Sequence, residues 1–423
     1  MSVPIVLFSS FIFCLLIGVP ISISIGISSL LAVIVAGGAT TMVAQVAFTG
    51  NDGFAFLAVP MFILAGLIME RGGLSERIIK IASSIIGPMT GGLAIVTVFG
   101  SMFFGAMSGS GPATVAAMGG IMIPAMVRGG YNKPFAGAIT ACSGGLGVLI
   151  PPSIPLIIYG ITVGTSITDL FLASIVPGIM VGVAMMIVSY YISRKNGWRG
   201  GGDEVGLRVF IKAAWYGKWA ILAPIIILGG IYGGIFTPTE AGVVAVVYSI
   251  VVGVFIHKEM NLKVIPDIII NAAVMSSVVM IILGLSTAFG RIMTLYRIPH
   301  MMSEFILNYS ANPNVILILI SLLLLLLGTF METGPIIIIF APLLIPLTTS
   351  VGISPIFLGV LMCLTTQIGF MTPPLGCNLF VAQKIAGLGL GEIFKPTIPL
   401  LLAQLVVLLI IIIFPDLVFV FIK

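Results

Sequence analysis

The sequence predicts an all-α integral membrane protein built from two inverted repeats, each with a re-entrant hairpin and a broken transmembrane helix. Three observations carry this: the composition, a Gly/Pro pattern written twice, and the placing of basic residues. The chain has 423 residues, 59% of them hydrophobic and only 7% charged. A soluble domain carries about 25% charged residues, so the length is best filled by about a dozen apolar segments of about 20 residues. The net charge of +5 reflects basic loops beside a lipid bilayer and no nucleic-acid partner. The N-terminus turns apolar at once, which reads as a span and not a cleaved leader.

The pattern is Gly105-Ala-Met-Ser-Gly-Ser-Gly111-Pro112 with Gly147-Val-Leu-Ile-Pro151-Pro152-Ser153. It returns as Gly328-Thr-Phe-Met-Glu-Thr-Gly334-Pro335 with Gly369-Phe-Met-Thr-Pro373-Pro374-Leu375. Gly105, Gly111 and Pro112 map onto Gly328, Gly334 and Pro335 at an offset of 223; Pro124, Gly147, Pro151, Pro152 and Pro177 map onto Pro346, Gly369, Pro373, Pro374 and Pro399 at 222. In lipid, broken backbone survives only where protein buries it or a wet cavity receives it. Paired interruptions in two halves point to a transporter's binding site.

Basic clusters set the order of elements, since short cytoplasmic loops collect Lys and Arg. Arg194, Lys195, Arg199, Arg208, Lys212 and Lys218 crowd one loop; Arg71, Arg77 and Lys80, then Arg128 with Lys133, then Lys258 with Lys263 mark others. Residues 3–36 form one long tilted span or two short ones. Residues 55–70 span the membrane. Residues 74–86 form an amphipathic arm, with Glu76, Arg77 and Lys80 set away from its isoleucines. Residues 91–127, basic at both ends, form a hairpin entering from the cytoplasm and turning at Ser108–Gly111. Residues 134–163 are a broken span, and 170–193 return to the cytoplasm. The first repeat is thus 1–193, followed by a basic cytoplasmic connector, 194–218. Residues 219–423 hold a linking span, at 219–235 and 239–257, and the second repeat. In that repeat 266–294 is the counterpart of 55–70, and 300–309 is the second arm. The second hairpin is 314–350 with its turn at Gly328–Pro335, the second broken span is 354–386, and 396–421 closes the chain.

A broken helix exposes N–H groups at one half and carbonyls at the other. Carbonyl and hydroxyl oxygens suit a small hard cation. The first copy offers Ser108, Ser110, Thr114 and Ser153, with backbone at Gly109, Gly147 and Ile150. The second offers Thr329, Thr333 and Thr372, with backbone at Gly369 and Met371. Two such cages suit two or more Na+ ions. Intramembrane charges are costly and usually functional. Glu332, in the second hairpin turn, joins the ion site or a gate, unless it is a surface carboxylate at a wet tip. Arg291 meets a substrate carboxylate or snorkels at the interface. Glu240, in Phe236-Thr-Pro-Thr-Glu-Ala-Gly242, has a functional role or caps a helix. Cys14, Cys142, Cys363 and Cys377 form no CxxC pair and read as small apolar residues. No HExxH and no phosphate loop occurs.

The whole chain resembles the large membrane (M) subunit of a tripartite ATP-independent periplasmic (TRAP) transporter. The matching stretches are Phe56-Leu-Ala-Val-Pro-Met-Phe-Ile-Leu-Ala-Gly66, the Ser108-Gly-Ser turn, Ile123-Pro-Ala-Met126, Ile150-Pro-Pro-Ser153, Gly234-Ile-Phe-Thr-Pro-Thr-Glu240, and Gly369 with Thr372-Pro-Pro374. The resemblance implies a Na+-coupled importer of organic acids in a bacterial inner membrane, not an enzyme, working as an elevator. It implies two partners, a small membrane subunit and a periplasmic substrate-binding protein. The first span begins almost at Met1, so the small subunit is expected as a separate chain. Many relatives carry an acidic residue after the Ser-Gly-Ser turn, where this chain has Pro112-Ala-Thr114. The substrate is expected to be a C4-dicarboxylate or a sialic acid, bound near Ser108, Ser110, Ser153, Thr372 and Arg291. An ion channel, an H+-coupled carboxylate symporter, a membrane enzyme using Ser108 or Ser110, and an assembly scaffold are the alternatives.

Overall fold

A computed structural model describes residues 3–200, 207–308, 310–374 and 376–422, and these are helical with no strand. Seven helices are long and apolar enough to cross a membrane, and an eighth candidate is a pair bent by 61°. The N-terminal choice resolves as two short helices, α1 (Val3–Leu16) and α2 (Ile21–Val35), packed on each other. Pro20 sits between them and cannot continue α1. A short α3 (Thr41–Thr49) follows, then α4 (Ala58–Arg71) and the arm α5 (Leu74–Ile86).

The first hairpin is α6 (Gly92–Ser108) and α7 (Gly111–Arg128). Its arms of 17 and 18 residues rise about 26 Å, just short of a ~30 Å hydrocarbon core. Gly109 ends α6 at φ +61°, a left-handed turn that glycine takes without strain. The first broken helix runs through α8 (Lys133–Gly144), the single turn α9 (Leu146–Leu149) and α10 (Ile154–Val163). Its non-helical stretch is therefore Ile150–Ser153, and Gly147 lies inside the last turn before it. The long α11 (Ile167–Asn196) closes this half.

The connector expected at 194–218 is partly helical. α11 runs on to Asn196, and α12 (Leu207–Tyr216) leads into α13 (Lys218–Tyr232), where the Lys218 ammonium lies 3.6 Å from the Trp215 ring centroid. Next come α14 (Pro238–Ile250), which ends in a π-helical turn at Val251–Ile256, the 31-residue α15 (Ile265–Leu295) and the second arm α16 (Ile298–Leu307). This arm ends two residues earlier than expected, and Tyr309 lies outside the described residues. The second hairpin is α17 (Pro313–Gly328) and α18 (Thr333–Ser350). The second broken helix is α19 (Pro355–Gly369) and α20 (Cys377–Ala386), and α21 (Leu390–Ile413) ends the helical chain.

The arm α5 corrects one expectation. Its Arg77 is not on the solvated side but 4% exposed. The guanidinium pairs with Glu259 at 2.7 Å, donates to the Gly73 carbonyl at 2.8 Å and to the Tyr216 hydroxyl at 3.2 Å, and lies over the Tyr216 ring. Tyr216 comes from α12 and Glu259 from the loop after the π turn, so a helical wheel of 74–86 alone could not supply them.

The two halves interlock. α10 of the first packs on α18 of the second, and α20 of the second packs on α7 of the first. Each half-helix after a break therefore rests on the other repeat's hairpin. α14 and α15 both pack on α4 beside this body, with α2 and α3 on α15.

Candidate functional site

The paired glycines meet. A Cβ on Gly105 would fall 2.7 Å from the Gly147 Cα, and one on Gly369 would fall 2.7 Å from the Gly328 Cα. Only hydrogen in place of a side chain lets each hairpin approach its own broken helix this closely. The tip carbonyls then find partners in the breaks: the Ile154 N–H donates to the Gly109 carbonyl at 3.3 Å, and the Gly376 N–H to the Thr329 carbonyl at 3.4 Å. Buried backbone groups require such partners.

Around the first contact lies a cluster of neutral oxygens. The Ser108 and Thr114 hydroxyls are 3.1 Å apart, and Thr114 donates to the Ser110 carbonyl at 2.7 Å. Gly147 presses on both, since a Cβ there would meet Thr114 Oγ1 at 2.5 Å and the Ser110 carbonyl at 2.7 Å. Around the second contact, the Thr333 and Thr366 hydroxyls are 3.0 Å apart beside Gly328 and Gly369. Thr366 was not anticipated from the sequence. Its signal was the polar run Thr365-Thr366-Gln367, wholly buried just before Gly369. Both clusters are uncharged hard-oxygen sets at helix breaks, a donor chemistry that fits a small hard cation.

Between the two tips is a cavity of about 310 Å³. The first hairpin tip contributes Ser108 to Ala113, the second Glu332 to Pro335, α10 contributes Ile154, Pro155 and Ile158, and Phe370 comes from the second break. The far wall is Ile63, Gly66, Leu67 and Glu70 of α4 with Met275, Val278, Val279 and Ile282 of α15. First-turn N–H groups of a helix have no intrahelical partner and carry positive partial charge. At α10 they are already engaged, Ile154 by Gly109 and Leu156 by the Ser153 hydroxyl at 3.4 Å. The starts of α7 and α18 are the two positive ends that the cavity receives.

The structure sorts the expected site residues. Ser108, Gly109, Ser110, Glu332 and Thr333 line the cavity. Gly147 and Gly369 sit in the clusters beside it. Ser153 is buried and its hydroxyl donates to the Val148 carbonyl, so it closes the break and does not reach the cavity. The Thr329 hydroxyl donates to Leu326, one turn back, at 2.7 Å, and the Thr372 hydroxyl to Ile368 at 3.4 Å. Ile150 turns its side chain toward Gly178 and a separate apolar groove, and Met371 meets the Gln404 amide through sulfur at 3.3 Å. Arg291 is exposed on α15 and does not line the cavity, because the α15 face toward the tips is the one holding Met275 to Ile282. Glu240 accepts from the Thr237 N–H at 2.8 Å and hydroxyl at 2.9 Å in a capping box. That is the capping role of such a carboxylate, and it lies outside the cavity. Glu70 was missed; an acid ending the apolar run 57–69 was its signal. Asn378 was also missed. It is buried and its amide donates to the Ala141 carbonyl at 3.3 Å, tying the second half to the first.

Two hairpin tips and two broken helices around one cavity define a membrane permease. The chain belongs to the family described as tripartite ATP-independent periplasmic transporter, DctM component, whose model matches residues 8–417. It is a multi-pass protein of the inner membrane. It is 44% identical, over 96% of its length, to an isethionate TRAP transporter permease protein, DctMQ, of Oleidesulfovibrio alaskensis, and spans 64% of that relative. It is 39% identical to a C4-dicarboxylate TRAP transporter large permease protein of Pseudomonas aeruginosa, covering 86% of this chain and 85% of the relative. It is 37% identical to a sialic acid TRAP transporter large permease protein of Vibrio cholerae, covering 88% and 87%. In fold it resembles the Alcanivorax borkumensis YdaH transporter, with a TM-score of 0.64 at 15% identity over 86% of each chain.

Proposed function

We propose that this chain is the substrate-translocating subunit of a Na+-coupled importer of a small organic acid. The observation that carries it is a cavity that receives two helix N-termini and lies beside two neutral oxygen clusters. The N-termini favour an anionic group. Ser108, Thr114, the Ser110 carbonyl and Gly147 would hold one Na+, and Thr333, Thr366 and the Gly328–Gly369 backbone another. Ion binding would order the tips and so raise substrate affinity, and substrate would raise ion affinity by the same factor. The interlocked hairpins and broken helices would slide as one body against α4 and α15, an elevator motion. A periplasmic binding protein would deliver the ligand and a small membrane subunit would brace the fixed part. The relatives' names put isethionate, C4-dicarboxylates and sialic acids among the ligand candidates.

The test is uptake into proteoliposomes holding this chain and its small subunit, with binding protein outside. Uptake should need an inward Na+ gradient and saturate with ligand. Undiminished uptake without Na+ would remove the coupling ion. A second reading, H+-coupled symport, is favoured by Glu70 and Glu332 facing the same cavity; uptake driven by a pH gradient alone would select it.

A further inference from the structure

The cavity holds two carboxylates and no basic side chain among the described residues. Glu70 faces it from α4 and Glu332 from the second tip. The one ion pair among the described residues is Arg77–Glu259, so neither carboxylate is ion-paired; Arg71, next to Glu70 in the chain, is outside the cavity lining. Glu332 is the N-cap residue of α18, yet its side chain makes no capping hydrogen bond and stands exposed to the cavity. Na+ at the two neighbouring clusters would offset the two carboxylates in charge, but would leave both without a hydrogen-bond donor among the described residues. Two helix N-termini supply about +0.5 each, enough to offset one acid group. The two glutamates then remain in a space walled mostly by apolar side chains, among them Ile63, Leu67, Phe104 and Phe370, with Ser108, Ser110 and Thr333 at the tips. Like charges in an apolar-walled space repel far more than in water.

From this juxtaposition we propose that the ligand is a zwitterion: a small organic acid that also carries a protonated amine. The acid group sits on the first turns of α7 and α18. The ammonium donates to Glu332, and to Glu70 whenever the tips lie opposite α4. Glu332 belongs to the tip and stays with the ligand. Glu70 belongs to the opposite wall, so it selects for the amine in only one position of the tips. A cavity of about 310 Å³ is at the small end of ligand pockets, which run from about 300 Å³ upward, and fits a compact molecule of this kind. The proposal rests on reading the cavity as the organic-acid site.

Two matched series test it on the purified complex of this chain with its small subunit, in Na+, by calorimetry and thermal shift. Ethanesulfonate, isethionate and taurine share one acid group and end in methyl, hydroxyl and ammonium. Propanoate, 3-hydroxypropanoate and β-alanine do the same for a carboxylate. In at least one series the amine should bind about tenfold or more tighter than the methyl compound, as a hydrogen bond between charged groups gives. Glu332→Gln should collapse that ratio towards one, and Glu332→Asp should restore part of it. Glu70→Gln, at a different place in the fold, serves if the tip variant fails to assemble. If methyl, hydroxyl and amine compounds bind alike, or if hydroxyl equals amine, the zwitterion proposal falls while the organic-acid reading stands. If no member of either series binds, that reading falls and takes this one with it.

Discussion

The two repeats use one backbone device and dress it differently. In both, a glycine of the hairpin lies on a glycine of the broken helix, and the tip carbonyl accepts an amide from beyond the break. In the first repeat the hydroxyl pair, Ser108 and Thr114, belongs wholly to the hairpin. In the second, Thr333 of the hairpin pairs with Thr366 of the broken helix. The residue matching Thr366 in the first repeat is Gly144, where a Cβ would meet Val115 Cγ2 at 2.1 Å. There is no room there for a threonine. The first cluster therefore reports on the shape of a tip, and the second on the docking of a tip against its helix.

The largest expected effects come from what the repeats share. Gly147→Ala and Gly369→Ala should each cost about 1–3 kcal/mol by overpacking and abolish uptake, since the new methyl meets atoms at 2.5 Å and 2.7 Å. Gly120→Ala, mid-helix in α7 with nothing within 4 Å, should leave uptake unchanged and the unfolding temperature unchanged or slightly raised. Sensitivity in one repeat alone would break the comparison.

The arms give the next effect. Arg77 of α5 is buried against Glu259 and Tyr216, whereas α16 carries no such ion pair among the described residues. Arg77→Met should lower stability by about 1–2 kcal/mol, under the roughly 3–5 kcal/mol of fully buried pairs because Glu259 is 37% exposed. Thermal unfolding measures it, with Glu304→Gln on α16 as the near-silent counterpart. His257 sits in the same place, its Nδ1 2.9 Å from the Gly72 carbonyl. Burial, then the Arg77 charge, holds its imidazole below the ordinary value of 6.5, against the Gly72 carbonyl and Glu259. A depressed folded value means that this stability is present above pH 6.5 and is lost as the pH falls through the lower folded value. His257→Gln should flatten that acid-side decline.

The smallest effects should separate the clusters. Thr114→Val and Thr366→Val each remove a neutral hydroxyl worth about 1 kcal/mol, a several-fold rise in the Na+ concentration for half-maximal uptake. Thr366→Val should also speed amide exchange on both sides of its contact, in 326–336 and 364–370, whereas Thr114→Val should speed exchange only within its own tip, 106–116, and leave 144–150 unchanged. Equal exchange changes would erase the distinction between the repeats.

The breaks were legible in the sequence because lipid forbids unpaired backbone, so Gly and Pro there carry meaning that they lack in a soluble loop. The first arm was legible to its end residues, 74 and 86, from its apolar periodicity. What stayed hidden was pairing across distance. Thr366 reaches Thr333 over 33 residues, Asn378 reaches Ala141 over 237, and Arg77 meets Tyr216 over 139. Periodicity reports which face a residue occupies and not who stands opposite. Glu70 was overshadowed by Arg71, which made it look like part of a basic loop. Of the two readings of Arg291, the outward one fits its exposed place on α15, since a charge at the end of an apolar run faces outward as readily as inward.

The exchange of α10 and α20 between the halves has a folding consequence. A fragment ending near residue 200 would leave α7 without its cover and α10 without its seat, two apolar faces with no solvent suited to their glycine-lined grooves. Neither half should reach a protease-resistant state alone. The two expressed together as separate polypeptides should, since nothing in the exchange depends on the covalent join.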